Sequence, residues 1–226
     1  MTAASAFLFD LDGTLVDSVY QHVLAWHEAL SAEHIDLSVW RIHRKIGMSG
    51  GLFTDQLLRE INRDLAPDAA ERLRALHAAA YQRLSGTVRP LPGAVDLLRT
   101  LSDLRIPWAI ATSGRMETAA VNIAALDVDP AEVVVVTRDQ VRFAKPDPDL
   151  FAEAARRLGV AIEDAIVVGD SIWDMLAAAR CHALGVGLLS GGYGREELER
   201  SRALRVYEDP ADLLRHLNEV ASRERN

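Results

Sequence analysis

Phe7-Leu8-Phe9-Asp10-Leu11-Asp12-Gly13-Thr14-Leu15 is the stretch whose reading decides the fold. Phe7 to Phe9 form a continuous apolar run rather than an alternating one, the pattern of a short strand buried on both faces. Carboxylates at the end of such a strand are costly unless they are paired or bind a metal. The two-residue period of a strand points Asp10 and Asp12 to the same side, and Gly13 lets the chain turn sharply behind them. A carboxylate pair placed this way suits a cation together with nucleophilic or acid–base chemistry. Standing alone, the motif would read equally well as an Asp-Gly turn.

Three later segments extend it. Trp108-Ala109-Ile110-Ala111-Thr112-Ser113-Gly114 is an apolar strand ending in two hydroxyls and a glycine. Lys145-Pro146 follows the β-branched run Val133 to Thr137. Ala165 to Val168 leads into Gly169-Asp170-Ser171, with Asp174 four residues after Asp170. Every polar group lies just past the carboxyl end of a hydrophobic strand, the edge at which open parallel sheets bind ligands.

The periodicity after residue 90 supports that sheet. Helical spacing over Gly93–Leu104, Glu117–Leu126, Asp149–Leu158 and Asp174–Cys181 alternates with strands at Trp108, Val133, Ala165 and Leu184–Leu189. A glycine-rich loop, a helix near Arg195–Arg202, a strand at Leu204–Tyr207 and a helix from Pro210 complete the chain. Strands alternating with helices predict an α/β fold, a Rossmann-like parallel sheet with helices on both faces. Residues 17–88 differ: Val19–Ala32, Ser38–Ile46, Leu52–Ile61 and Pro67–Leu84 carry helical spacing with no strand between them. They predict a helical cap inserted after the first strand, with residues 1–16 and 89–226 forming the core. The crossings at Val16–Asp17 and Thr87–Pro92 would act as a hinge, the second stiffened by Pro90 and Pro92.

Composition narrows the function classes. The chain has 226 residues, 49% hydrophobic and 26% charged, as in a soluble globular protein. A net charge of −8 argues against nucleic acid or an anionic membrane as partner. Cys181 is the single cysteine, so no internal disulfide or all-cysteine metal site can form. No apolar stretch approaches the ~20 residues of a membrane span and no basic region precedes the first hydrophobic run, so the expected location is cytoplasmic. The expected assembly is a monomer or weak dimer. A dinucleotide-binding dehydrogenase is disfavoured, because no Gly-x-Gly-x-x-Gly follows the first strand.

With these four motifs in order, the chain resembles the haloacid dehalogenase-like hydrolase superfamily, in its capped phosphatase and phosphomutase branch (phosphoglycolate phosphatase and β-phosphoglucomutase-like). The resemblance spans essentially the whole chain; Ala144 stands where the family often has glycine before the lysine. It implies Asp10 as nucleophile forming an aspartyl-phosphate, and Asp12 as general acid and then base, a role that calls for a raised pKa. It implies Mg²⁺ held by Asp10, the backbone carbonyl of Asp12 and Asp170, with Asp174 one layer behind. Lys145 would neutralise nucleophile and phosphoryl group, and Thr112, with the Ser113 backbone amide, would donate hydrogen bonds to the phosphoryl oxygens. Asp12 also disfavours the dehalogenases and phosphonate-cleaving relatives, which lack an acid there.

Weaker signals concern the cap. The loop Arg44 to Gly51 carries three glycines, and Gly47, Met48 and Ser49 are candidates for substrate contact. His22 and Trp26 share a face of the first cap helix, His22 near the site and Trp26 in packing. His43, Arg44 and Lys45 read as a solvated basic face, Gly191 to Gly194 as a structural turn, and Trp108 and Trp173 as side chains packed on the sheet. The expected function is a Mg²⁺-dependent phosphatase of a small phosphorylated metabolite. A sugar phosphomutase is the alternative, favoured by His22 and Trp26, and a non-catalytic binding protein on this fold is the reading outside catalysis.

Overall fold

Six short strands, β1 (Ala6–Phe9), β2 (Trp108–Ala111), β3 (Val134–Val136), β4 (Ala165–Gly169), β5 (Leu184–Leu188) and β6 (Ala203–Tyr207), build one sheet. The computed structural model describes residues 6–61, 68–129 and 131–221. All neighbouring strands run parallel, in the order β3-β2-β1-β4-β5-β6. The direction of strand addition reverses beside β1, between its neighbours β2 and β4, and such a reversal opens a crevice at the carboxyl ends.

Helices cover both faces. The helices are α1 (Val19–Ala32), α2 (Val39–His43), α3 (Gly50–Ile61), α4 (Ala69–Leu84), α5 (Ala94–Asp103), α6 (Met116–Ala124), α7 (Asp149–Leu158), α8 (Ile172–Arg180), α9 (Arg195–Arg200), α10 (Pro210–Arg215) and α11 (Leu217–Ala221). Phe7 and Phe9 project into one apolar cluster with Leu97, Leu101 and Ile123, while Leu8 projects into the other with Leu150, Phe151 and Ala154. This two-sided burial is why the strands read as continuous apolar runs. The predicted helices and strands are present with ends moved by a few residues; Pro67, proposed to begin α4, lies outside the described residues.

Helices α1 to α4 gather round a separate apolar cluster that includes Val23, Trp26, Leu30, Phe53 and Leu73. The segments entering and leaving this block lie side by side: Asp17 donates its N–H to the Arg89 carbonyl at 2.9 Å, and Leu91 to that of Leu15 at 2.9 Å. No described helix is long and apolar enough to cross a membrane.

Candidate active site

Asp10 is the first residue past β1, and its N–H donates to the Val168 carbonyl at 2.9 Å, extending the ladder to β4. Asp170 is the first residue past β4, one position beyond the residue the register sets beside Asp10, and the chain past both strand ends brings the two carboxylates together. Asp174 joins them from the first turn of α8, where its Oδ2 accepts from the N–H and hydroxyl of Ser171 at 3.1 and 2.5 Å in a capping box. One oxygen from each of Asp10, Asp170 and Asp174 lies within 4.8 Å of the others, all three residues being buried. Lys145 is fully buried beneath them, ion-paired with Asp10 and, at 2.8 Å, with Asp174.

Three carboxylates against one ammonium leave two negative charges uncompensated. Burial pushes the Asp10 carboxyl up to about 7, against the opposing pull of Lys145. Burial, with the charges of Asp174 and Asp10, raises Asp170 well above the usual range. Burial would lower the Lys145 pKa, but the two carboxylates beside it raise it. Groups this strained by like charge, offering only oxygen, fit a hard divalent cation. Asp12 adds no side chain to this cluster.

Backbone packing leaves no slack round Asp170. Thr14 donates its hydroxyl to Asp170 Oδ1 at 3.0 Å, and Gly13 adopts φ +86°, with a Cβ there falling 2.6 Å from Oδ2. Gly191 is tighter still: its Cβ would fall 1.7 Å from Asp170 Oδ2. Ser190 donates to the Gly13 carbonyl at 2.6 Å, tying this loop to the first motif. The loop read as a remote turn therefore forms a wall of the carboxylate cluster, because β5 lies beside β4. Gly191→Ala is expected to displace Asp170 and weaken divalent-cation affinity roughly 10- to 100-fold, the range for groups that orient ligands. Isothermal titration with Mg²⁺ reads this directly, and unchanged affinity would contradict it.

Above the cluster lies a cavity of about 760 Å³. Asp10, Asp12, Thr112 and Ser113 line it from the sheet edge, and Gly47, Met48 and His22 from the helical block. The Thr112 hydroxyl oxygen accepts from the Gly114 N–H at 3.0 Å, leaving its proton to donate, and the buried Ser113 hydroxyl has no partner among the described residues. Lys145, Asp170 and Asp174 sit behind Asp10 rather than on the wall. Ser49 also lies off the wall: its hydroxyl accepts from Leu52 N–H at 3.3 Å at the start of α3, and its own N–H donates to the Lys145 carbonyl at 3.4 Å.

Asp12 is held differently from expectation. Its Oδ1 accepts from Ser18 at 2.6 Å and from Asn122 Nδ2 at 2.6 Å, and His22 Nε2 lies 3.3 Å away. Burial would raise its pKa, but the His22 charge and the bonds from His22, Ser18 and Asn122 together hold it below the ordinary carboxylate value. These bonds thus oppose the raised pKa that the acid role calls for. His22 is positioned by His77, whose Nε2 lies 3.2 Å from its Nδ1, and by Tyr81, stacked 3.9 Å below its ring. Trp26 stacks between Phe53 and His77. His77, Tyr81 and Asn122 carried no sequence signal beyond polarity on otherwise apolar helix faces, and Ser18 none beyond its place just before α1.

The basic run is not a solvated face. Lys45 is only 8% exposed, pairs with Glu60 and lines the cavity. Arg44 pairs with Glu197 and lies 4.0 Å over the Tyr193 ring, whose hydroxyl donates to the Arg44 carbonyl at 2.9 Å. His43 contacts the Gly191 carbonyl at 2.8 Å. Trp173 packs against the apolar cluster of α1–α4 instead of the sheet, with the Gly47 backbone close to it. Arg44 and His43 acquire their partners from a segment about 150 positions away and Lys45 from the next helix, 15 positions on, so local polarity misled.

The model of the haloacid dehalogenase-like hydrolases matches residues 4–182. The chain is 37% identical over 191 residues to hexitol phosphatase A of Escherichia coli, covering 80% of this chain and 82% of that protein. It is 31% identical over 215 residues to phosphoglycolate phosphatase of Rhodospirillum rubrum, covering 92% and 88%. The solved structure of a hydrolase from Pseudomonas syringae superposes with a TM-score of 0.95 at 59% identity, covering 96% of this chain and all of that one.

Proposed function

The chain belongs to the haloacid dehalogenase-like hydrolase family, an enzyme family, and from that premise we propose that it is a Mg²⁺-dependent phosphatase of a small phosphorylated metabolite. The observation that carries this reading is the placement of Asp10. Its carboxylate borders the cavity on one side and contacts the buried Lys145 on the other, with Thr112 and Ser113 on the same wall. Bound Mg²⁺, held by Asp10, Asp170 and the Asp12 carbonyl with Asp174 behind, would supply charge that offsets repulsion between carboxylate and phosphate dianion.

Thr112 and Ser113 would hold the phosphoryl oxygens while an Asp10 oxygen attacks phosphorus. The bond to the leaving oxygen breaks, and Asp12 delivers the proton that oxygen needs to depart as an alcohol. Asp12, now a base, takes a proton from the water that attacks the phosphoaspartate, returning Asp10 and inorganic phosphate. The lowered pKa of free Asp12 suits this second half. A phosphate dianion seated beside it would raise its proton affinity for the first half by like-charge repulsion. Residues 17–88 would act as a cap that closes over the substrate and opens for product.

Similarity to a hexitol phosphatase and a phosphoglycolate phosphatase makes phosphorylated polyols and phosphorylated hydroxy acids the first substrates to test. Phosphate release from such a panel is expected with Mg²⁺ and is expected to vanish in excess EDTA; full activity without divalent cation would refute the reading. The second reading, a sugar phosphomutase, draws on Lys45 and Arg74, cations on the cavity wall that a second phosphate would need. Isomerisation of β-glucose 1-phosphate without phosphate release would favour it.

A further inference from the structure

We propose that Tyr81 and Asn122 are positioning residues for the Asp12 proton transfer, locking one carboxylate oxygen so that the other faces the leaving group. The proposal rests on the phosphatase reading and deepens it. All three contacts to Asp12 converge on Oδ1: Ser18 at 2.6 Å, Asn122 at 2.6 Å and His22 at 3.3 Å. An oxygen already accepting from several donors is a poor seat for a further proton. Among the described residues Oδ2 takes no such bond, and it lies 3.9 Å from where a Cβ on Gly114 would sit, beside the Thr112-Ser113 wall of the cavity. The exchanged proton therefore resides on Oδ2.

Asn122 can serve as anchor only if its amide nitrogen faces Asp12. Turned the other way, its carbonyl would oppose a buried carboxylate. Asp12 itself makes that choice, because an ionised carboxylate only accepts. Tyr81 then holds the amide in place: its hydroxyl accepts from Asn122 Nδ2 at 2.6 Å and donates to Oδ1 at 2.9 Å. Tyr81 and Asn122 are each 1% exposed, and neither lines the cavity, so neither can meet substrate. The pair also spans the molecule: Tyr81 belongs to α4 of the helical block and Asn122 to α6 on the sheet. Seating the block over the sheet thereby completes the anchoring of Asp12.

The leaving group supplies the test. An alkyl phosphate, such as glycerol 1-phosphate or a hexitol phosphate, needs a proton to depart; 4-nitrophenyl phosphate does not. kcat/KM reports steps up to loss of the leaving group, so later hydrolysis of the phosphoenzyme does not obscure the comparison. Asn122→Leu and Tyr81→Phe are expected to lower kcat/KM for the alkyl phosphate by about 10- to 100-fold, a fraction of the 10²–10⁴ that general acid–base catalysis supplies. The aryl phosphate should change less than about threefold, within the span left once acid assistance is not needed. Asp12→Asn gives the limiting case of the same selectivity. Tyr81→Phe keeps the ring stacked on His22 and so serves if Asn122→Leu fails to fold. Equal losses on both substrates, in either folded variant, would overturn the positioning role while leaving the phosphatase standing. A wild-type enzyme that turns over neither substrate would overturn the phosphatase reading itself.

Discussion

Asp10→Asn is expected to reduce phosphate release by at least about 10⁴-fold, as loss of a covalent nucleophile does elsewhere, while making the cation-free protein more stable at neutral pH. An amide cannot form the phosphoaspartate, so activity falls. Stability moves the other way because of the charge cluster. Asp10 has a folded-state pKa of about 7 against an ordinary value of 3.8, owing first to burial. An acid with a raised pKa contributes stability that is complete below its unfolded pKa and is lost as pH rises through the folded one. Wild-type protein in EDTA should therefore lose stability between about pH 4 and pH 7. The amide variant should escape the part of that loss due to Asp10, since Lys145 still has Asp174 at 2.8 Å. A gain in Tm of at least about 2 °C at pH 7.5 is expected, the shift that roughly 1 kcal/mol gives in a chain of this length. Thermal melts across pH, with and without Mg²⁺, read both parts. Near-normal turnover would refute the nucleophile, and a lower Tm in EDTA would refute the charge argument.

Lys145→Met should do the opposite. Met has similar length and no charge, so the cavity effect is small. The variant leaves Asp10 and Asp174 buried without their cation. Removing one partner of a buried pair costs about 3–5 kcal/mol, here greatest at alkaline pH, where the carboxylates must ionise, and smaller near pH 5, where Asp10 holds a proton. Mg²⁺ should recover part of the loss by restoring positive charge. Activity should fall sharply, because an unscreened carboxylate repels the phosphate it must attack. A Tm independent of pH and of Mg²⁺ would show that Lys145 is not the charge on which the cluster depends.

How much was legible in sequence follows from distance along the chain. Phe7 to Asp12 could be read because one short segment holds both the buried strand and the groups it delivers, and the same is true of Thr112-Ser113 and of Asp170 with Asp174. Their convergence followed from a topological rule for parallel sheets, and strand order β3-β2-β1-β4-β5-β6 satisfies it. Helix positions were legible from periodicity, their ends less so, since caps such as Ser171 with Asp174 depend on local hydrogen bonds.

Lys45 and Arg44 were misread for another reason. A charged residue in a loop is indistinguishable, by sequence, from a solvated one until a partner comes within reach, and Glu197 is far along the chain from Arg44. Tyr81, Asn122 and His77 are alike in this: each sits on a helix face whose periodicity records burial and not what it is buried against. The amino-acid sequence by itself determined the strands, the reactive groups at their ends and the helical block between them, because those depend on residues within a few positions of one another. Only the tertiary structure decided the electrostatic state of those groups. It set Asp10 near neutral pKa and held Asp12 low, because burial and charges from separate elements act through space at a few ångströms.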